Sequence, residues 1–218
     1  MYLVNKEKIN RSLSAKIVDA RVAQVFNSFK DVLFTSSFGT TSAVLLHLVS
    51  RIKPNCPIYF IDTGYHFEET IAYKERMTRL LDLNVVELRP RPSDHAKTQN
   101  EQLWAQNPDK CCEINKVEPL EQIKGQYSVW MSGLIGFQDS DRDQLQIMDE
   151  QEDIIKFYPL IDWNGSLVEE YMTGHGLPEH PLKEESYDSV GCTHCTVPGR
   201  GRNGRWSDSG KTECGLHR

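Results

Sequence analysis

Apolar positions along the chain recur with two alternating periods, and that alternation predicts a sheet wound with helices. From about Ile9 to Phe29, Leu13, Ile17, Val22, Val25 and Phe26 fall at helical spacing. The compact run Val32-Leu33-Phe34 reads as a buried strand, closed by Thr35-Ser36-Ser37-Phe38-Gly39. Thr40 to Ile52 returns to helical spacing, with Ala43, Leu45, Leu46 and Val49 inward, and Pro54 and Pro57 mark its end. A second strand, Ile58 to Ile61, closes on Asp62-Thr63-Gly64. A helix over Phe67–Leu81 and a strand over Asn84–Leu88 follow. Early Glu68 and Glu69 suit the positive end of that helix. Further on, Cys111–Ile123 reads as a helix, Tyr127–Met131 as a strand, Lys156–Leu160 as another, and Leu167–Met172 as a short helix. Strand, tight turn and helix in repetition predict an α/β fold: a wound, mostly parallel, Rossmann-like sheet flanked by helices.

The periodicity stops at Gly174. From His175 to Arg218 the chain is rich in Gly, Pro, Ser, His and Arg and carries three cysteines. The division expected is a nucleotide-binding domain over residues 1–174, which includes the first cysteine pair, and an irregular C-terminal tail over 175–218. The formal net charge is −6, so bulk attraction to nucleic acid is not expected and an anionic ligand needs a local basic cluster. The first residues lack a basic start followed by an apolar core, and no apolar run approaches the ~20 residues of a membrane span. The expected location is the cytoplasm, where thiols stay reduced and grouped cysteines suggest metal or catalysis rather than disulfides.

Three constellations carry the candidate chemistry. Ser36, Ser37, Phe38 and Gly39 form a turn ahead of a helix start, at the strand end where wound sheets hold phosphate groups. Asp62, at the end of the next strand, suits a ribose hydroxyl or an adenine amino group. Cys111-Cys112 and Cys192-Thr193-His194-Cys195 supply four thiolates, enough for a four-iron cluster or a tetrahedral zinc. A cubane gives each thiolate its own iron, which suits adjacent cysteines better than one shared ion does. Cys56 has no cysteine near it in sequence. Near the end, Cys214 lies among Lys211, His217 and Arg218, after the arginines 200, 202 and 205. Positive neighbours favour the thiolate, and guanidinium forks suit sulfate and phosphate oxygens.

Taken together these segments resemble the assimilatory sulfonucleotide reductases, the adenylylsulfate and phosphoadenylylsulfate reductases. The resemblance rests on SSFG at 36–39, DTG at 62–64, CC with KVEPL at 116–120, WMSGL at 130–134, HPL at 180–182, GCTHCT at 191–196, RxGRW at 202–206 and KTECGLH at 211–217. It implies an adenine nucleotide alpha hydrolase-like fold and, through the two cysteine pairs, the cluster-bearing branch that uses adenylylsulfate (APS). By resemblance, Cys111, Cys112, Cys192 and Cys195 ligate a 4Fe–4S cluster, with Lys116 between cluster and substrate. Ser36, Ser37, Phe38 and Gly39 hold the nucleotide, while Arg202, Arg205 and His217 meet its charged groups. Cys214 attacks sulfur, AMP leaves, and thioredoxin or a similar thiol releases sulfite, all within sulfate assimilation and cysteine biosynthesis. A homo-oligomer is compatible with this reading. The chain departs from the family pattern at Asn115, Ile135 and Gly136, where basic residues are usual; Arg89 and Arg142 are the candidate replacements. Two alternatives therefore stand beside APS reduction: a diverged member acting on the 3′-phosphorylated nucleotide (PAPS) or another adenylated or sulfonated compound, and a non-catalytic cluster-bearing sensor.

Overall fold

The computed structural model describes residues 6–138, 142, 144–151, 154–207, 211 and 213–216. Helices α1 (Lys6–Ser14) and α2 (Val18–Ser28) precede β1 (Val32–Thr35), α3 (Ser42–Ile52), β2 (Pro57–Ile61), α4 (Glu68–Leu81) and β3 (Asn84–Leu88). Three short helices follow: α5 (Pro92–Asn100), α6 (Leu103–Gln106) and α7 (Pro108–Cys112). A π-helical turn, Glu113–Val117, leads into α8 (Glu118–Lys124). β4 (Val129–Ser132), β5 (Met148–Gln151), β6 (Ile154–Phe157) and α9 (Gly165–Gly174) complete the regular elements.

The six strands form one sheet in the order β3-β2-β1-β4-β6-β5. Every neighbouring pair is parallel except the edge pair β5–β6. Central strands buried on both faces must be apolar throughout, and β1 and β4 are: Leu33, Phe34, Val129 and Met131 are at most 1% exposed. The apolar stripes of α3 and α4 close the sheet, with Leu46, Leu48, Tyr73 and Met77 in the core. The parallel, helix-flanked sheet expected from the pattern is the one found.

Three expectations about elements need correction. The single helix from Ile9 to Phe29 is two, broken between Ser14 and Val18. Buried Arg21 explains the break: its guanidinium takes the carbonyls of Leu13, Ser14 and Lys16 and forks onto Asp162 at 2.6 and 2.7 Å. Those carbonyls end α1 instead of continuing it. The strand expected over Lys156–Leu160 lies earlier, at Ile154–Phe157, and β5 beside it is an antiparallel edge that the pattern did not reveal. The helix expected over Leu167–Met172 is longer at both ends, and it starts at Gly165 because Asn164 caps it by accepting from the Leu167 N–H at 2.9 Å. Among the described residues, no helix is long and apolar enough to cross a membrane.

Candidate active site

Strand order reverses between β1 and β4, whose ends Thr35 and Ser132 are paired in register. Open α/β sheets hold ligands in the crevice at such a point. Here the crevice is a cleft of about 200 Å³, lined by the 36–42 turn, the 132–134 turn and the irregular C-terminal segment. The first turn is built by its own hydroxyls: Ser36 Oγ accepts from the Phe38 N–H at 3.2 Å, and Ser42 Oγ donates to the Gly39 carbonyl at 2.7 Å. The turn presents the N-terminus of α3 to the cleft, where orphan N–H groups and the helix dipole favour an anion. Three buried polar atoms of cleft residues find no partner within the described chain: Ser132 Oγ, His66 Nδ1 and Arg205 Nε. An unsatisfied buried polar group costs about 1–3 kcal/mol, so a polar ligand offsets what the fold leaves open. His66 donates from Nε2 to the Ile61 carbonyl at 3.0 Å, and burial pushes its pKa down to about 4. It is therefore neutral at pH 7, with Nδ1 an acceptor.

The C-terminal segment closes the cleft and is anchored on both sides of Cys214. On one side, buried Glu213 is gripped by Arg142, at 2.6 and 2.8 Å, and by Arg202 at 3.1 Å. On the other, Lys156 donates to the Leu216 carbonyl at 3.2 Å. Between them Gly215 turns the chain at φ +87°, a conformation that suits glycine, and half-buried Cys214 lines the cleft. Lys116 and Lys156 both feel the charge of the Cys214 sulfur. Lys211 pairs with Asp109 at 2.7 Å and lies over the Trp206 ring. Arg205 also lies over Trp206, 4.5 Å from its centre, and reaches the Val190 carbonyl at 3.1 Å. Gly191 makes room for it: a Cβ there would sit 2.1 Å from Arg205 Nη2.

Cys111, Cys112, Cys192 and Cys195 line one small void against the cleft, all four as free thiols. Burial pushes the Cys111 thiol up to about 12, and Cys112, Cys192 and Cys195 add to the rise. Four sulfurs crowded so that each disfavours the others' charge suit a cationic centre that relieves the repulsion. No three His, Cys, Asp or Glu side chains among the described residues converge tightly enough for a single ion. Four sulfur donors lining one void are in kind the ligands of a four-iron cluster or of a zinc ion. Lys116 lines both the void and the cleft. Burial pulls its ammonium down, but Cys192, Cys112 and Cys214 outweigh that and hold it above the ordinary lysine range. Trp104 and His194 stack 4.0 Å apart over the void's outer side. Cys56 lies apart, its thiol pushed up to about 11 by burial.

Ser36, Ser37, Gly39, Arg202, Arg205, Lys116 and Cys214 thus meet around one cleft. Phe38 does not join them as expected: its side chain is fully buried and packs edge-on to Phe60, 5.7 Å between centres. Its backbone, at φ +49°, shapes the turn. Asp62 is likewise committed elsewhere, accepting from the Gly64 N–H at 3.0 Å and pairing with Arg89 at 2.9 Å. Of the two candidate replacement cations, Arg142 lines the cleft and Arg89 does not. His217 lies outside the described residues. Asn115 faces the cysteine void, not the cleft. Sequence reasoning missed His66, Ser132, Glu213 and Lys156. Glu213 carried a signal, being an acid beside the nucleophile in an arginine-rich segment; buried Lys156 carried none.

The sequence model of the phosphoadenosine phosphosulfate reductase domain matches residues 31–198, most of the chain. The chain belongs to this family. Among its relatives, adenosine 5'-phosphosulfate reductase of Bacillus mycoides is 39% identical over 202 residues, covering 88% of this chain and 86% of that protein. The enzyme of the same name from Halalkalibacterium halodurans is 36% identical, covering 98% and 97%. A solved phosphoadenylyl-sulfate (PAPS) reductase from Candida auris, in a phosphate complex, superposes with a TM-score of 0.79 at 25% identity, over 90% of this chain and 99% of that one. Candida glabrata FMN adenylyltransferase shares the fold alone, with a TM-score of 0.60 at 16% identity, over 89% and 67%. The adenine nucleotide alpha hydrolase-like class expected for the family is therefore the fold observed.

Proposed function

We propose that the chain reduces adenylylsulfate to sulfite and AMP through an S-sulfonate on Cys214. The observation that carries the reading is the position of Cys214: a free thiol in the cleft, near Lys116, opposite an anion-favouring helix start. Residues 1–174 supply the nucleotide cleft, and 175–218 supply the nucleophile, the arginines and the second cysteine pair.

The Ser36–Gly39 turn and the α3 N-terminus hold the phosphosulfate, and Arg205 faces its oxygens. Neutral His66 accepts a hydrogen bond from the nucleoside. The Cys214 thiolate attacks sulfur; the S–O bond breaks and its electron pair leaves with AMP. Charge gathers on the departing phosphate, where fixed cations and N–H dipoles stabilise it. A dithiol of the thioredoxin class then attacks the Cys214 sulfur and expels sulfite. Its second thiol resolves the mixed disulfide, so two electrons from the dithiol match the reduction. Cys111, Cys112, Cys192 and Cys195 hold a 4Fe–4S cluster in this reading. When bound, the cluster supplies fixed charge and rigidity beside Lys116 rather than a redox step. The reaction belongs to cytoplasmic sulfate assimilation.

Cluster-loaded protein given adenylylsulfate alone should gain one sulfonate on Cys214 by mass spectrometry. Adding reduced thioredoxin should release sulfite. Cys214→Ser should abolish both, and wild-type turnover by that variant would remove the mechanism. The likeness to the Candida auris enzyme favours a second reading, in which the 3′-phosphorylated nucleotide is the substrate. Calorimetry with AMP and with adenosine 3′,5′-bisphosphate decides between them: tighter binding of the bisphosphate would favour the second.

A further inference from the structure

Lys156 is a buried cation that the chemistry above does not use. It sits on β6, 2% exposed, where the sheet turns toward its edge. Lysine is rarely buried so deeply unless something holds its ammonium. Among the described residues no carboxylate does. Nζ stands 4.9 Å from the centre of the Trp130 ring and donates to the Leu216 carbonyl at 3.2 Å. The ring face is attracted to the cation, and a charge-assisted bond to a carbonyl is stronger than a neutral one. Trp130 is itself fixed, donating from Nε1 to Thr35 Oγ1 at 2.8 Å. The ammonium therefore has a rigid seat in the core and one backbone carbonyl to hold. That carbonyl lies two residues beyond Cys214. The other charged or titratable groups whose field reaches it are Lys124 and Glu121 from α8, Asp149 from β5 and the Cys214 thiol. Burial, with Lys124 behind it, brings its pKa down to about 8, so it remains a cation at neutral pH.

Resting on the reading of Cys214 as the nucleophile, we propose that Lys156 is the positioning residue of the Cys214 segment. It latches the chain past the nucleophile to the sheet. Reduction of the S-sulfonate by a second protein requires the segment to leave the cleft, and a single hydrogen bond on a fixed cation is a contact that can break and re-form. The Glu213 grip, made by three nitrogens of two arginines, is the tighter of the two anchors. Release therefore begins at Leu216, and Cys214 follows once the Glu213 grip also opens.

The test compares cluster-loaded wild type, Lys156→Met and Lys156→Arg. Methionine keeps the stem and loses the ammonium; arginine keeps charge and donors. Hydrogen exchange of the C-terminal peptide is read by mass spectrometry, AMP affinity by calorimetry, and S-sulfonate formation in a single turnover with adenylylsulfate. Lys156→Met should exchange its C-terminal amides about tenfold faster and form the S-sulfonate about tenfold more slowly, with AMP affinity within twofold of wild type. Lys156→Arg should recover most of both losses. Unchanged exchange in Lys156→Met, or a fall in AMP affinity matching the fall in rate, would overturn the latch. If Lys156→Met does not fold, Lys156→Gln takes its place with the same outcomes. Should the wild type form no S-sulfonate, the proposed function fails, while the exchange comparison still decides whether Lys156 holds the segment.

Discussion

At the scale of single residues, the cleft depends on side chains that leave each other room. Arg205 occupies its position over Trp206 only because residue 191 has no side chain. Gly191→Ala places a methyl within 2.1 Å of the guanidinium, and the arginine must move. The expected result is a 10- to 100-fold loss of AMP affinity by calorimetry, the scale of one or two charge-assisted hydrogen bonds. The visible absorbance of the cluster should be unchanged. Glu213 is a different case, since its one carboxylate is shared by two guanidinium groups in a buried place. Arg142 supplies two of the three nitrogens that hold this carboxylate, each a charge-assisted bond. Arg142→Met leaves Glu213 with Arg202 alone and should loosen the C-terminal segment, slowing S-sulfonate formation by at least tenfold. Stopped reactions analysed by mass spectrometry would check it; a wild-type rate would mean that Arg142 does not hold the nucleophile in place.

At the scale of elements, the run from α7 to α8 brings the first cysteine pair to the void. Adjacent residues on a regular helix point about 100° apart, so Cys111 and Cys112, at the end of α7, meet the void from different directions. A π-helical turn follows Cys112, in which the Glu118 N–H bonds the Glu113 carbonyl five residues back, and it redirects the chain toward α8 and carries Lys116. Asn115 fixes the turn from within. It is 1% exposed, donates to the Cys111 carbonyl at 2.9 Å and to Thr98 Oγ1 at 3.2 Å, and contacts His95 Nδ1 at 2.9 Å. Asn115→Leu orphans these partners and should cost about 2–4 kcal/mol, with iron lost to a chelator several-fold faster. Iron release at the wild-type rate would show that the turn holds without it. The same stretch shows where sequence reading succeeds and stops. The apolar periods located β1, α3, β2, α4 and β3, because burial on a sheet face dictates residue type directly. The cysteines, Lys116, the arginines and Cys214 were visible because thiols and guanidinium groups are chosen for chemistry. Asn115 was read as a missing substrate cation, since nothing in the sequence tells which wall of a site a side chain faces. Lys156 was read as part of an apolar strand, since a buried lysine leaves no pattern. The break at Arg21 was invisible for a related reason: a side chain that takes backbone carbonyls competes with a helix without altering its apolar spacing.

At the scale of the whole molecule, the site exists only while the irregular C-terminal segment stays in place, and His180 ties that segment to α4. His180 is fully buried where the segment first meets α4. Its Nδ1 accepts from the Leu182 N–H at 3.2 Å and its Nε2 lies 3.1 Å from Thr70 Oγ1, while the Tyr73 ring packs 5.0 Å away. An Nδ1 that accepts cannot carry a proton, so the folded state requires neutral imidazole. Burial accordingly lowers its pKa from 6.5 to about 4, against a weak upward pull from Glu69. Between those values the unfolded chain binds a proton that the folded chain refuses. Stability from this group is present above pH 6.5 and is lost as pH falls toward 4. By pH 5 the loss amounts to about 2 kcal/mol, from 1.36 kcal/mol per unit over the interval. His180→Gln keeps a donor and an acceptor but does not titrate. It should start less stable at pH 7.5, because its shorter amide serves Leu182 and Thr70 less well. The gap to wild type should then narrow by about 2 kcal/mol between pH 7.5 and pH 5. Urea unfolding of the cluster-loaded proteins at both pH values measures this, and the difference between them cancels other acid-sensitive groups. A constant gap would mean that His180 titrates alike in both states and that acid does not act at the junction. A narrowing gap, with faster exchange of the C-terminal peptide at pH 5, would place the weak joint of the molecule between α4 and the segment that carries its nucleophile.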